Sequence, residues 1–205
     1  TRIEAEEATL ASAALVIASA HQEVTQQYGI YDHYQPKRMV VIPPGVALKE
    51  FYPVPENWQE PPNYQDLKRF LNNPEKPMIM ALSRPAIRKN VATLVKAYGE
   101  DPELRHLANL VLILGNRDDI TTMESGPRHV LTEIFQLIDR YDLYGYVAYP
   151  KHHRSDEVAD LYRLLAKTRG VFINPALTEP FGLTLIEATA CGVPIIATSD
   201  GGPRD

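Results

Sequence analysis

Glu179 and Glu187 stand eight residues apart in INPALTEPFGLTLIEATACGVPIIATSDGGP, residues 173–203. A carboxylate accepts hydrogen bonds from paired hydroxyls or moves a proton. Between these two lie the turn formers Pro180 and Gly182 and the start of an apolar helix. Glu187 has two readings. Thr184-Leu-Ile-Glu187 has the spacing of a capping box, in which the glutamate closes the start of its own helix; otherwise its carboxylate serves a ligand. Glu179 has no such structural task, because it falls at the carboxyl end of a strand, beside a turn whose N–H groups point outward.

Cations stand in an equivalent place. In SRPAIRKN, residues 83–90, Arg84 and Lys89 flank a turn that enters a helix with Asn90 as its expected N-cap. Fixed positive charge beside free helix N–H groups suits a diphosphate, and two solvated loop cations are the alternative. In GNRDD, residues 115–119, Gly115 lets a ligand approach the backbone, and Asn116 or Arg117 could hydrogen-bond a base or phosphate; an ordinary turn would read the same. His152 and His153 are adjacent, which is not the spacing of a helical metal pair, and Ser155 reads as a helix cap. Cys191 reads as a small core residue.

These residues need a scaffold that presents loops along one edge. Residues 2–12 read as helix, 14–19 as a strand-like run, 22–28 as a polar helix and 39–42 as a strand stopped by Pro43, Pro44 and Gly45. Residues 47–63 carry four prolines and little periodicity. A helix over 64–71 precedes an alternation: strands at 78–83, 109–114, 145–149, 171–174 and 194–198, and helices at 90–99, 127–139, 155–167 and 184–190. Strand–helix alternation with short connections predicts an α/β fold with a doubly wound parallel sheet. Ligands of such sheets bind outside the carboxyl ends of the strands, which is where the loops above fall.

Composition removes other classes. With 21 Lys and Arg against 26 Asp and Glu, the net charge of −5 disfavours general nucleic-acid or polybasic membrane binding. One cysteine permits no intrachain disulfide and fits a reducing, cytoplasmic setting. There is no P-loop, no G-x-G-x-x-G fingerprint and no G-x-S-x-G elbow. Asp-x-Asp, which would hold a metal on a sugar nucleotide, is also missing, so side-chain cations must neutralise any diphosphate.

The stretch FINPALTEPFGLTLIEA, residues 172–188, closely resembles the donor-site motif of retaining GT-B glycosyltransferases of the sucrose-phosphate synthase type. RIEAEE (2–7), VIPPGV (41–46), SRPAIRKN, GNRDD, YPKHHRSDEVADLYRLL (149–165) and GGP (201–203) resemble the same family in order and spacing. The resemblance implies a GT-B fold with Rossmann-like domains: residues 1–44 as the end of an N-terminal acceptor domain, 45–75 as an interdomain linker, and 76–205 as an incomplete C-terminal, nucleotide-sugar-binding domain. The chain is accordingly read as truncated at both ends, and as inactive or weak by itself.

The resemblance further implies transfer of glucose from UDP-glucose or ADP-glucose to fructose 6-phosphate, with retention at the anomeric carbon. It assigns Arg84 and Lys89 to the donor diphosphate, Glu179 to glucose hydroxyls and Glu187 to the ribose. Phe181, Gly182, Leu183 and Thr184 line the sugar and phosphates through their backbones, Asn116 belongs to the donor site, and Arg2 matches an acceptor-phosphate contact. No cofactor is required, no metal site is seen, and Mg2+ is at most an activator; neither nucleic acid nor membrane is a partner. Sucrose synthase, a mannosyl-fructose-phosphate synthase and a noncatalytic nucleotide-sugar-binding module are the rival readings.

Overall fold

The computed structural model describes residues 1–204; Asp205, the last position assigned to the donor-binding domain, lies outside the described residues. The chain forms two compact units: residues 1–45 with 178–183 and 198–205, and residues 46–177 with 184–197.

In the first unit, helix α1 (Arg2–Ser12) opens on a capping box formed by Thr1 and Glu4. Strands β1 (Val16–Ala18) and β2 (Met39–Val41) pair in parallel, with Val16 opposite Met39. The helix expected at 22–28 is instead a wide π turn, Glu23–Gln27, running into a 3-10 turn, Tyr28–Ile30. Two β-branched residues, Val24 and Thr25, and Gly29 weaken a regular helix there. The Glu23 carboxylate also turns back to accept the Ser19 N–H and hydroxyl, at 2.6 and 2.7 Å. The chain that follows is tied down by Glu7, which accepts the N–H groups of Asp32 and His33 at 2.8 and 3.0 Å.

The second unit carries the sheet. Helix α2 (Asn63–Lys68) precedes β3 (Met78–Leu82), α3 (Val91–Glu100), α4 (Pro102–Leu107), β4 (Asn109–Ile113), α5 (Ser125–Arg140), β5 (Val147–Ala148), α6 (Val158–Lys167), β6 (Val171–Asn174), α7 (Leu183–Ala190) and β7 (Ile195–Ala197). All five strands are parallel, in the order β5-β4-β3-β6-β7. The chain winds outward one way from β3 and then returns to add β6 and β7 on the other side, which makes the expected doubly wound sheet.

Period-two alternation divides the core into two layers. Met78 and Met80 of β3 join Val111 and Ile113 of β4 in packing against Leu161, Tyr162, Leu165 and Leu185 of α6 and α7. Ile79 and Ala81, with Leu110 and Leu112, face Val95, Tyr98, Val130, Ile134 and Ile138 of α3 and α5. Cys191 is buried in the first layer, as a core residue should be. Helix α4 was not foreseen, although Asp101 caps it by accepting the N–H groups of Glu103 and Leu104, with Pro102 at its first position.

The proline-rich segment after residue 46 is fixed to this unit. Phe51 and Trp58 pack on the core, and Arg163, only 7 % exposed, donates to the Glu50 carbonyl at 2.9 Å while lying 4.4 Å from the Tyr52 ring. Among the described residues, no helix is long and apolar enough to cross a membrane.

Gly170, between α6 and β6, shows how tightly the sheet is closed: a Cβ there would overlap the Met78 carbonyl oxygen and the Leu165 side chain. Gly170→Ala is expected to lower stability by about 1–3 kcal/mol in urea melts. Gly126→Ala, where a Cβ meets nothing within 4 Å, should leave it unchanged or raise it by about 0.5–1 kcal/mol. Equal effects at the two positions would contradict this packing.

Candidate active site

The winding reverses between β3 and β6, and ligands of open parallel sheets bind outside the carboxyl ends of the strands at such a point. Arg84 is exposed in the loop after β3, and Lys89, half-buried, closes the 3-10 turn Ile87–Lys89 that follows. The loop after β6 approaches it directly: the Leu177 N–H donates to the Arg88 carbonyl at 2.9 Å, and the Asn90 side-chain amide donates to the Pro175 carbonyl at 3.1 Å. Asn90 holds the N-cap position of α3, but contrary to expectation its side chain does not cap. It is spent on the neighbouring loop.

Beside β3, the loop after β4 carries Asn116, which is exposed and accepts the His153 N–H at 2.8 Å through its side-chain oxygen. Arg117 is not available to a ligand in the way the sequence allowed. Its guanidinium is buried, donates to the carbonyls of Tyr149 and Pro150 at 3.0 and 3.1 Å, and lies 5.8 Å from the Phe135 ring. Burial holds it below its usual pKa. Ser155 begins a 3-10 turn instead of capping; the Glu157 carboxylate takes the Arg154 N–H at 2.7 Å. His152 meets Asp118 at 3.3 Å, and burial lowers the pKa of His153.

The structure speaks against the capping reading of Glu187. Helix α7 already begins at Leu183, so Thr184 lies inside it and cannot be its N-cap; the capping-box role falls away. The half-buried carboxylate instead receives a long hydrogen bond, 3.4 Å, from the Tyr162 hydroxyl. Tyr162 is fully buried, edge-on to Phe172 with ring centroids 5.4 Å apart. Burial raises the Glu187 pKa, and the Tyr162 bond lowers it by less. Burial first, and then the Glu187 charge, hold the Tyr162 phenol well above its usual range. Sequence reasoning did not single out Tyr162, which is 25 residues away, although it lies in the stretch 149–165 that carries part of the resemblance.

The first unit holds the remaining residues. Glu179 is 8 % exposed, and its backbone is clamped to the Gly-rich turn: its N–H donates to the Asp200 carbonyl at 3.1 Å and its carbonyl accepts the Gly202 N–H at 2.9 Å. Gly201, at φ 120°, has no room for a Cβ against the Glu179 carbonyl. The Asp200 carboxylate binds the Thr178 hydroxyl and, at 2.9 Å, the Gln22 amide. Phe181 is half-buried, and Gly182, at φ 93°, turns the chain into α7, whose first residue Leu183 is 45 % exposed. Arg2 is exposed on α1 and paired with Glu6 at 2.9 Å, and Glu6 also binds the Tyr31 hydroxyl. These residues border a cavity of about 690 Å3. Among the described residues, no group of three His, Cys, Asp or Glu could hold a metal ion.

Five parallel strands with a reversal at β3 and β6, two cations on the loop after β3 and a half-buried carboxylate on α7 describe a family of sites, and comparison with known proteins narrows it. The model of glycosyl transferases group 1 matches residues 64–205. The chain belongs to this family. Its curated relatives include a probable sucrose-phosphate synthase 1 of Oryza sativa subsp. indica, 50 % identical over the whole chain, and sucrose-phosphate synthase 4 of Arabidopsis thaliana, also 50 % identical. The chain spans only 22 % and 23 % of their lengths. Among solved glycosyltransferase-like structures, the sucrose-phosphate synthase of Thermosynechococcus elongatus is 30 % identical, with a TM-score of 0.72 over 98 % of this chain and 44 % of that one. Anabaena HepE, solved with UDP and glucose, shares the fold at 20 % identity, with a TM-score of 0.74 over 98 % of this chain and 49 % of that one.

The half-buried Glu187 carboxylate gives a pH signature with a definite sign. Its folded pKa lies above the ordinary 4.5, so the unfolded chain ionises first as pH rises. Stability is therefore drained between 4.5 and the folded value, and stays lower above it. Glu187→Gln in ligand-free protein should melt higher than wild type at pH 7, with the gap closing below about pH 4.5. A gap independent of pH would contradict the burial.

Proposed function

We propose that the polypeptide containing this chain is a sucrose-phosphate synthase: a retaining glycosyltransferase moving glucose from UDP-glucose or ADP-glucose to fructose 6-phosphate. The observation that carries the reading is that Arg84 and Lys89 lie on the loop after β3 and Glu187 on the helix that follows β6, the two strands at the switch point of the sheet. The 50 % identity to sucrose-phosphate synthases supports this choice of donor and acceptor, and the UDP and glucose held by HepE, which shares the fold, support the donor.

Transfer builds negative charge on the leaving diphosphate and positive charge on the anomeric carbon. Arg84 and Lys89 stabilise the first, in place of a metal, as the α7 N-terminus and the backbone of Gly182, Leu183 and Thr184 do. Glu187 accepts the ribose hydroxyls, Glu179 those of glucose, and Asn116 belongs to the nucleotide side. The acceptor hydroxyl attacks from the leaving-group face, where a phosphate oxygen takes its proton. Arg2 contacts the acceptor phosphate in this reading, after exchanging Glu6 for it. No cofactor takes part, and the single cysteine suits a reducing, cytoplasmic setting.

The test is transfer by the intact polypeptide from UDP-, ADP- and GDP-glucose to fructose and fructose 6-phosphate. Transfer to the phosphorylated acceptor is expected, and transfer to free fructose alone would overturn the assignment. Arg84→Ala and Lys89→Ala should each slow turnover about a hundredfold, roughly 3 kcal/mol of transition-state stabilisation. Rates within threefold of wild type would remove the two cations from the mechanism.

A further inference from the structure

Asn90 is one of three non-glycine residues among those described with positive φ, the others being Asp142 and Arg169. Asp142 and Arg169 follow the ends of α5 and α6, where a left-handed residue commonly terminates a helix. Asn90 does the opposite. At φ 54° and ψ 27° it precedes α3, where an N-cap residue is normally extended and uses its side chain on the first turn.

Asparagine is among the side chains most tolerant of this conformation, and what it gains here is reach. Its amide nitrogen donates to the Pro175 carbonyl at 3.1 Å, and its oxygen accepts the Thr93 hydroxyl at 2.7 Å. Because the Pro175 carbonyl can only accept, the orientation of the amide is fixed by its partners. Two residues earlier the Arg88 carbonyl accepts the Leu177 N–H at 2.9 Å. The loop that carries Arg84 and Lys89 and the loop that leads into Thr178–Gly182 are thus joined at two points. Lys89 precedes the strained residue directly, in a turn closed by the Asn90 N–H on the Ile87 carbonyl at 2.9 Å.

We infer that Asn90 is a positioning residue for the nucleoside diphosphate: it latches the loop after β3 to the loop after β6, so that Arg84 and Lys89 meet the donor from a fixed position. Strain at one residue is the cost of this connection, and strain of that kind gathers where geometry serves function. The inference rests on the donor-site reading above, and neither the Asn90 side chain nor Thr93 is assigned a contact with the donor.

Two substitutions keep the backbone conformation accessible while breaking the latch. Asn90→Gly removes both side-chain bonds, and Asn90→Asp keeps the acceptor for Thr93 but sets a carboxylate oxygen against the Pro175 carbonyl. In the intact, ligand-free polypeptide, both should speed hydrogen exchange of the Leu177 amide, and both should weaken UDP binding in calorimetry by about tenfold, counted per folded molecule. Thr93→Val, which leaves the bond to Pro175, should keep UDP affinity within about twofold. Unchanged Leu177 exchange in Asn90→Gly overturns the latch, and faster exchange with unchanged UDP affinity overturns its positioning role. A wild type that does not bind UDP overturns the donor reading itself, whatever Leu177 shows.

Discussion

A parallel sheet that grows in one direction and then restarts beside its first strand must send the chain to opposite faces from two adjacent strands. Here the restart falls between β3 and β6. Each loop then has to satisfy its backbone polar groups without a helix or sheet at its side. Part of the solution is mutual: Arg88 with Leu177, and Asn90 with Pro175. Arg84 and Lys89 lie on the loop tied down in this way. The two-layered core behind it, with Met80 on one face and Ala81 on the other, keeps the strand ends where the loops need them.

Two kinds of charge are handled differently around that edge. Arg117 is buried and saturated by carbonyls, so its charge serves the loop that holds it. Glu187 is half-buried with one long bond to a buried phenol, an arrangement that costs stability whenever the carboxylate is ionised. A residue kept in such a position by stability alone would be better as glutamine. The cost is explained when a polyhydroxyl ligand supplies the missing hydrogen bonds, as the ribose does in the proposed reaction.

Much of the fold was legible in the sequence because it depends on periodicity. The apolar runs around Met80, Val111 and Phe172 and their spacing predict the parallel sheet, and the reversal follows from the winding rules. The Gly-Gly turn was visible as a turn, but its necessity came only from the Glu179 carbonyl lying where a Gly201 side chain would be. What failed were local side-chain assignments. Thr184, Asn90 and Ser155 each carry a capping residue type, yet none caps: Thr184 lies inside α7, Ser155 begins a 3-10 turn, and Asn90 spends its amide on the Pro175 carbonyl. Tyr162 was invisible since its contact with Glu187 depends on how α6 and α7 pack on one sheet face. Asp101 with Pro102 did announce α4 and was passed over because the helix is short.

The central claim is that the sheet edge at the carboxyl ends of β3 and β6 receives a nucleoside diphosphate. Hydrogen exchange of the intact polypeptide with and without UDP tests it most directly. UDP should slow exchange in residues 83–90 and in the first turns of α7, while β7 and the outer face of α5 stay unchanged. Protection confined to other segments, with residues 83–90 and 183–187 exchanging as in the free protein, would contradict the account.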